Sequence, residues 1–442
     1  MISLWLVLLG LAVVLVSLLV VRMHAFLALI LAAMVVALAT PLSHGLPTAD
    51  APTKVMKAFG DTCGKMGLLI AMAAIIGKCL LDSGAAMRIV QAILSLFGQA
   101  RAHIAFVFTG FFLAIPVFFD AVFYLLMPIG KAMAARLGKN YLLYILTVVA
   151  GATMAHSLVP PTPGPLLAAK ELGVPIGKMM AGGCIVGLFT ASFGLLYAVW
   201  ANRRWTIPLP EDAHAAADHD ASVQKLPPLW FSLLPIVVPV ALITWGAITG
   251  KEREQWFHDG GVALGFGAGI ALLLLSKFRR EDDATVKDAV QDSIMSGATV
   301  LMITAAGGAF GASLRETGIA ELIQRAGAGV SPMWALPICF AITSLVRIAQ
   351  GSATVAMITV APIAAAFLAS GQLGFDAVYL ALAVGCGSKP IPWMNDSGFW
   401  IITRMTGMRE TDTLKIVTPM MSLMGVVGLP VVMVGAWLFP RW

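Results

Sequence analysis

Four short polar segments interrupt apolar stretches of this chain, and each carries side chains able to bind or exchange charge. Ile115-Pro-Val-Phe-Phe-Asp120 places a proline and a carboxylate in an aromatic and aliphatic run. His156-Ser-Leu-Val-Pro-Pro-Thr-Pro-Gly-Pro165 joins an imidazole and two hydroxyls to four prolines. Arg347-Ile-Ala-Gln-Gly-Ser-Ala-Thr354 is a small-residue, hydroxyl-rich turn beside a guanidinium. Gly385-Cys-Gly-Ser-Lys-Pro-Ile-Pro-Trp-Met-Asn-Asp-Ser-Gly398 gathers a lysine, an amide, a carboxylate and two hydroxyls around two prolines. The Gln350–Thr354 turn should expose backbone N–H groups, the kind of concavity that holds an anion. Arg347 can grip a carboxylate through two parallel hydrogen bonds. Asp120, His156 and Asp396 are titratable and could take up a proton as solute binds, because a carboxylate in a low-dielectric site holds its proton more tightly. The expected solute-binding set is Asp120, His156, Ser157, Thr162, Arg347, Gln350, Gly351, Ser352, Thr354, Ser388, Lys389, Asn395, Asp396 and Ser397.

These groups need a scaffold, and composition names it. Of 442 residues, 59% are hydrophobic and 12% charged, against about 25% charged in a soluble domain. Long charge-free runs recur along the whole length and approach the ~20 residues a helix needs to cross the hydrocarbon. The reading is an all-α polytopic membrane protein. Spans are expected near 2–21, 24–40, 64–82, 141–165, 177–200, 229–249, 260–277, 294–314, 377–400 and 413–439, with re-entrant hairpins at 104–137 and 333–369. Irregular backbone at membrane depth is tolerated only where protein or water satisfies it, so the four breaks are where a polar solute can bind. The helices there are expected to be discontinuous.

The chain also matches itself. Gly77–Gly84 lies over Gly311–Gly318 at an offset of 234 residues, with an acidic-hydroxyl-glycine triplet in both, and the same offset pairs Pro128 with Pro362, Gly151 with Gly385 and Gly164 with Gly398. The expected organisation is repeat one over 1–201, a cytoplasmic linker over 202–228 and repeat two over 229–442, each repeat holding five spans and one hairpin. Because five is odd, the second copy should be inverted relative to the first, an arrangement that secondary transporters use for alternating access. Sixteen basic side chains fall on the side opposite the N-terminus and ten on its own side. The positive-inside rule then makes both termini periplasmic, opens the first hairpin to the cytoplasm and opens the second to the outside.

Other chemistries lack a pattern. Neither H-E-x-x-H nor G-x-S-x-G occurs, and the seven histidines and five cysteines form no ligand spacing, so no metal, cofactor or enzymatic activity is expected. Gly265-Phe-Gly-Ala-Gly269 sits inside a span and reads as helix packing. The net charge of +6 is scattered over short loops, which does not indicate a nucleic-acid partner.

Ile115–Asp120, His156–Pro165, Arg347–Thr354 and Asn395-Asp-Ser-Gly-Phe-Trp400, in this order along nearly the whole chain, resemble the signature segments of the gluconate permease family, part of the ion transporter superfamily. The resemblance implies a bacterial inner-membrane proton symporter for gluconate or a related small hydroxy acid such as D-serine. It also implies a homodimer in which a transport part, made of hairpins and broken helices, moves as an elevator against a scaffold of the first two helices of each copy. The chain departs from the family's usual pattern at Asp120, where glutamate is common, at Thr162, where histidine is common, and at Pro392-Trp393 in place of Ser-His; Lys389 is a further departure. Hydroxyl and carbonyl groups at helix breaks also bind sodium, so a sodium-coupled organic anion symporter or a cation/proton antiporter stays open at this point.

Overall fold

The computed structural model describes residues 2–43, 47–98, 101–137, 139–210, 226–249, 259–278, 285–318, 331–371 and 373–442. Residues 211–225, most of the expected linker, lie outside that set. Among the described residues every regular element is helical, and eight helices are long and apolar enough to cross a membrane. The first half contains α1 (Ile2–Leu19), α2 (Ala25–Ser43), α3 (Ala51–Asp82), α4 (Ala85–Phe97), α5 (Ala102–Leu113), α6 (Phe119–Leu137), α7 (Tyr141–Leu158), α8 (Pro163–Glu171) and α9 (Ile176–Arg204). The second contains α10 (Leu229–Thr249), α11 (Gly260–Phe278), α12 (Val286–Arg315), α13 (Ala335–Gln350), α14 (Ala353–Ala369), α15 (Ala377–Gly387), α16 (Ser397–Thr406) and α17 (Thr418–Leu438), the last preceded by a π-helical turn at Thr413–Val417.

The breaks fall where proline and glycine forbid an unbroken helix. The span expected over 141–165 is α7 and α8 with a cis Pro160–Pro161 bond between them, and that expected over 377–400 is α15 and α16. Each of the two stretches expected to be hairpins is likewise two helices, α5 with α6 and α13 with α14. Two boundaries differ from expectation. α3 starts at Ala51 rather than 64, so Lys54, Lys57 and Asp61 are helical, and α12 starts at Val286, where Thr285 and Asp288 form a reciprocal capping box. Charged residues at a helix end project into water, so hydropathy alone truncates both helices. α4 was not among the expected elements. It follows Gly84 at φ +75° and buries Ala85, Ala86, Ile89 and Val90 on one face, an amphipathic pattern too short to span.

Element boundaries recur at the 234-residue offset. α3 corresponds to α12, α5 to α13, α6 to α14, α8 to α16, and α9 to the segment Glu410–Leu438, each within a few residues. Packing follows the same correspondence with partners exchanged between halves. α2 lies on α12 and α11 on α3, while α14 lies on α8 and α6 on α16. α3 and α12 pack along each other, as do α9 and α17. The broken span α7–α8 is 94% buried in its most apolar stretch, against 33% for the last span. α7 is therefore surrounded by protein rather than lipid.

Close helix approach in this core depends on missing side chains. A Cβ on Gly151 of α7 would stand 2.1 Å from the Val107 carbonyl oxygen of α5, whereas one on Gly265 would meet nothing within 4 Å. Gly151→Ala should therefore lower the melting temperature of the purified protein by an overpacking cost of about 1–3 kcal/mol. Gly265→Ala should leave the melt unchanged or raised. Equal melts for the two variants would show that α5 and α7 are not in close contact.

Candidate functional site

Four helices begin at the breaks, and the opening residues of all four line one cavity of about 620 Å³: Phe119 and Asp120 of α6, Pro163 of α8, Ser352 to Thr354 at α14, and Ser397 and Gly398 of α16. Ser352 and Asp396 are the N-caps of α14 and α16, accepting from the backbone N–H of Val355 and Gly398. Each helix start carries the partial positive end of its helix dipole, although α8, opening Pro163-Gly164-Pro165, offers few N–H groups of its own. Their convergence makes the cavity electropositive before any side chain is counted.

The third and fourth breaks satisfy each other. The α13 carbonyls of Ile348 and Ala349 would end a helix unpaired; Ile348 accepts from the Trp393 indole at 2.7 Å and the Asn395 amide at 2.9 Å, and Ala349 from Asn395 at 3.1 Å. In return Arg347 Nε donates to the Ser388 carbonyl at 3.0 Å and the Ser344 hydroxyl to that of Gly387 at 3.1 Å, covering the end of α15. Within the fourth break, Ile391 N–H donates to the Ser422 hydroxyl and the Pro392 carbonyl accepts from Thr418. Gly351, at φ +93°, lets the α13–α14 turn seat against this break; a Cβ there would lie 2.2 Å from the Asn395 carbonyl oxygen.

Two basic side chains sit in the wall. Arg347, 1% exposed, pairs with the Asp396 carboxylate, while its Nη1 is buried with no partner. Lys389, 2% exposed, reaches across to the first half and donates to the Thr153 carbonyl of α7 at 2.6 Å. His156 stacks edge-on to Phe118 with ring centroids 6.2 Å apart and leaves Nδ1 without a partner. Three further groups of the breaks carry unpartnered buried atoms or nearly so: the Ser157 hydroxyl and the Asn395 side-chain oxygen have none, and the Thr162 hydroxyl bonds only its own Val159 carbonyl.

Of the residues expected to bind solute, Asp120, His156, Arg347, Ser352, Thr354, Lys389, Asp396 and Ser397 line the cavity together. Ser157, Thr162, Gly351, Ser388 and Asn395 lie outside the lining, and the structure gives the last three bracing roles. The Gln350 side chain lies outside the described residues. Sequence reading missed Thr153, Ser296 and Thr299, which complete the polar wall, and the apolar wall of Phe118, Val300, Ile303 and Ile358. Ser296 and Thr299 lie on the unbroken α12 and gave no signal, because an intrahelical hydroxyl ordinarily bonds its own backbone.

A model of the GntP permease family, described as GntP family permease, matches residues 2–438. The chain is similar to a gluconate permease of Pseudomonas aeruginosa, 32% identical over 422 residues covering 92% of each chain. It is also similar to a low-affinity gluconate transporter of Escherichia coli, 30% identical with 93% of each covered. Among solved structures it resembles the Alcanivorax borkumensis YdaH transporter, with a TM-score of 0.63 at 16% identity, covering 94% of this chain and 98% of that one; that likeness is one of fold.

Asp396 both caps α16 and neutralises Arg347, so Asp396→Ala strands a buried cation at a cost of about 3–5 kcal/mol. Ser352→Ala removes only a cap, worth ~1 kcal/mol. Thermal melts of the two purified variants measure the difference, and equal losses would show that the ion pair does not hold the breaks together.

Proposed function

Because the chain belongs to the GntP permease family, we propose that it imports a small organic hydroxy acid of the gluconate type by proton symport. One observation carries the reading: four helix N-termini, Arg347 and Lys389 face a single cavity in the middle of an apolar helical protein. Such convergence suits a carboxylate, as half-helix ends do in other transporters. The cavity suits a molecule of a few carbons, with Ser296, Thr299, Ser352, Thr354 and Ser397 offering hydroxyl partners on one side and aromatic and aliphatic groups on the other.

The transport cycle follows from the duplication. The two halves are inverted copies, and α5–α6 and α13–α14 are re-entrant hairpins entering from opposite sides. Exchange of conformation between the copies alternates access to the cavity. The boundaries that recur at one offset and the exchanged packing partners support this reading. In the same reading the hairpins and broken helices move as an elevator against a scaffold within a homodimer. Both termini face the periplasm of a bacterial inner membrane.

The test is a thermal-shift screen of the purified protein with gluconate, idonate, glycerate, lactate and D-serine. The matching acid should stabilise by about 2.7 kcal/mol at a hundredfold excess over its Kd. Proteoliposomes loaded with no acid should then accumulate that acid under an inward proton gradient, with or without sodium. A sodium requirement indifferent to pH would replace proton coupling with sodium coupling. Cation exchange in the absence of any organic acid would overturn the symporter reading.

A further inference from the structure

Resting on the symport reading above, we propose that Lys389 is the residue that carries the coupling proton, taking it up as the substrate carboxylate arrives and releasing it as the carboxylate leaves. The inference starts from which charges in the cavity are already balanced. Arg347 and Asp396 form a closed pair. One carboxylate oxygen holds the guanidinium and the other caps α16 through the Gly398 N–H, so neither oxygen is free to trade protons without releasing an arginine buried in protein. Lys389 has a different kind of partner. Its nitrogen has one acceptor among the described residues, the Thr153 backbone carbonyl, which is neutral.

A neutral acceptor matters because it serves both protonation states. An ammonium and a neutral amine can each donate one hydrogen to a carbonyl, so the contact between the two halves survives loss of the proton. A carboxylate partner would hold the charge in place. Lys389 and Arg347 both line the cavity, and the Arg347 Nη1 is buried without a partner. In this proposal the substrate carboxylate binds beside both side chains.

Charge conservation supplies the coupling. With the Arg347–Asp396 pair neutral and Asp120 across the cavity keeping its proton throughout, an empty site holding a charged Lys389 has one uncompensated buried cation, which is costly in a low-dielectric interior. A loaded site with a neutral Lys389 has one uncompensated anion. Both costs vanish when proton and carboxylate enter and leave together, one for one. The surroundings of Lys389 contain the groups that could compete. Arg347 comes from α13, Asp396 from the start of α16, Cys386 from one turn earlier on α15, His156 from α7 and Asp120 from α6 across the cavity. α17 meets Lys389 through Gly425, whose Cβ would lie 2.8 Å from that of the lysine, and brings no charge. Among these, Lys389 combines burial, a place in the cavity lining and a neutral partner.

The test compares wild type, Lys389→Arg and Lys389→Gln in proteoliposomes, with labelled D-gluconate and D-glycerate as probes. Arginine keeps its charge at any accessible pH. K389R should therefore still exchange acid for acid across the membrane while losing accumulation driven by an inward proton gradient. K389Q, left without the charge, should bind the acid roughly 30-fold or more weakly, the loss expected when one partner of a buried charge pair is removed. Calorimetry of wild-type protein in two buffers of different ionisation enthalpy gives an independent reading that no variant can confuse. It should show proton uptake on acid binding, equimolar with the acid at a pH where the empty site is unprotonated. A proton-coupled wild type beside a K389R that accumulates acid equally well would overturn the Lys389 assignment alone. A wild type that exchanges acid without taking up protons would overturn the symport reading and the assignment together.

Discussion

The constraint that organises this molecule is the cost of unpaired backbone groups in a medium without water. A helix that ends inside the hydrocarbon leaves carbonyls and N–H groups with nowhere to go, and the four breaks here interrupt apolar helical stretches. The third and fourth breaks meet the demand reciprocally. Arg347 and Ser344 cover the end of α15, and Trp393 and Asn395 cover the end of α13. This reciprocal bonding fixes the α13–α14 turn against the α15–α16 connection and holds the starts of α14 and α16 on the same cavity.

The first and second breaks are handled with less polar material. His156 and Ser157 keep unpartnered atoms, and within the cavity wall the backbone carbonyl of Thr153 accepts from Lys389 of the other half. The second half supplies both basic side chains and most of the lining. The first supplies the proline-led start of α8, the carboxylate of Asp120 and the aromatic floor. Helix boundaries recur at one offset in the two halves, while the polar chemistry of the cavity is concentrated in the second.

Much of this was legible from the residues. Pro116, Pro160 to Pro165, Gly351 and Pro390 to Pro392 cannot continue a helix, and a carboxylate or guanidinium inside an apolar run has few stable placements, so the four breaks and eight of the cavity residues could be named in advance. What escaped depended on tertiary proximity. The Trp393 indole reads as a hydrophobic interruption until it is seen bonding Ile348, 45 residues away. Asn395 and Ser388 were singled out by residue type, and only tertiary proximity shows the Asn395 amide nitrogen and the Ser388 carbonyl closing gaps in the backbone. Charged first turns of α3 and α12 looked like loops because hydropathy does not distinguish a solvated helix end from a solvated coil. α4 was hidden for the opposite reason, having one apolar face and too little length to register as a span.

The Ser296 and Thr299 wall has its own consequence. It belongs to α12, and the residues that stand in the same place on α3, at the 234-residue offset, are Thr62 and Lys65. Where α12 sets two hydroxyls in the cavity wall, the corresponding turn of α3 carries a hydroxyl and an ammonium. The helix pair that shares its boundaries therefore does not share its charge, and an anion beside one of them meets a different local field from an anion beside the other.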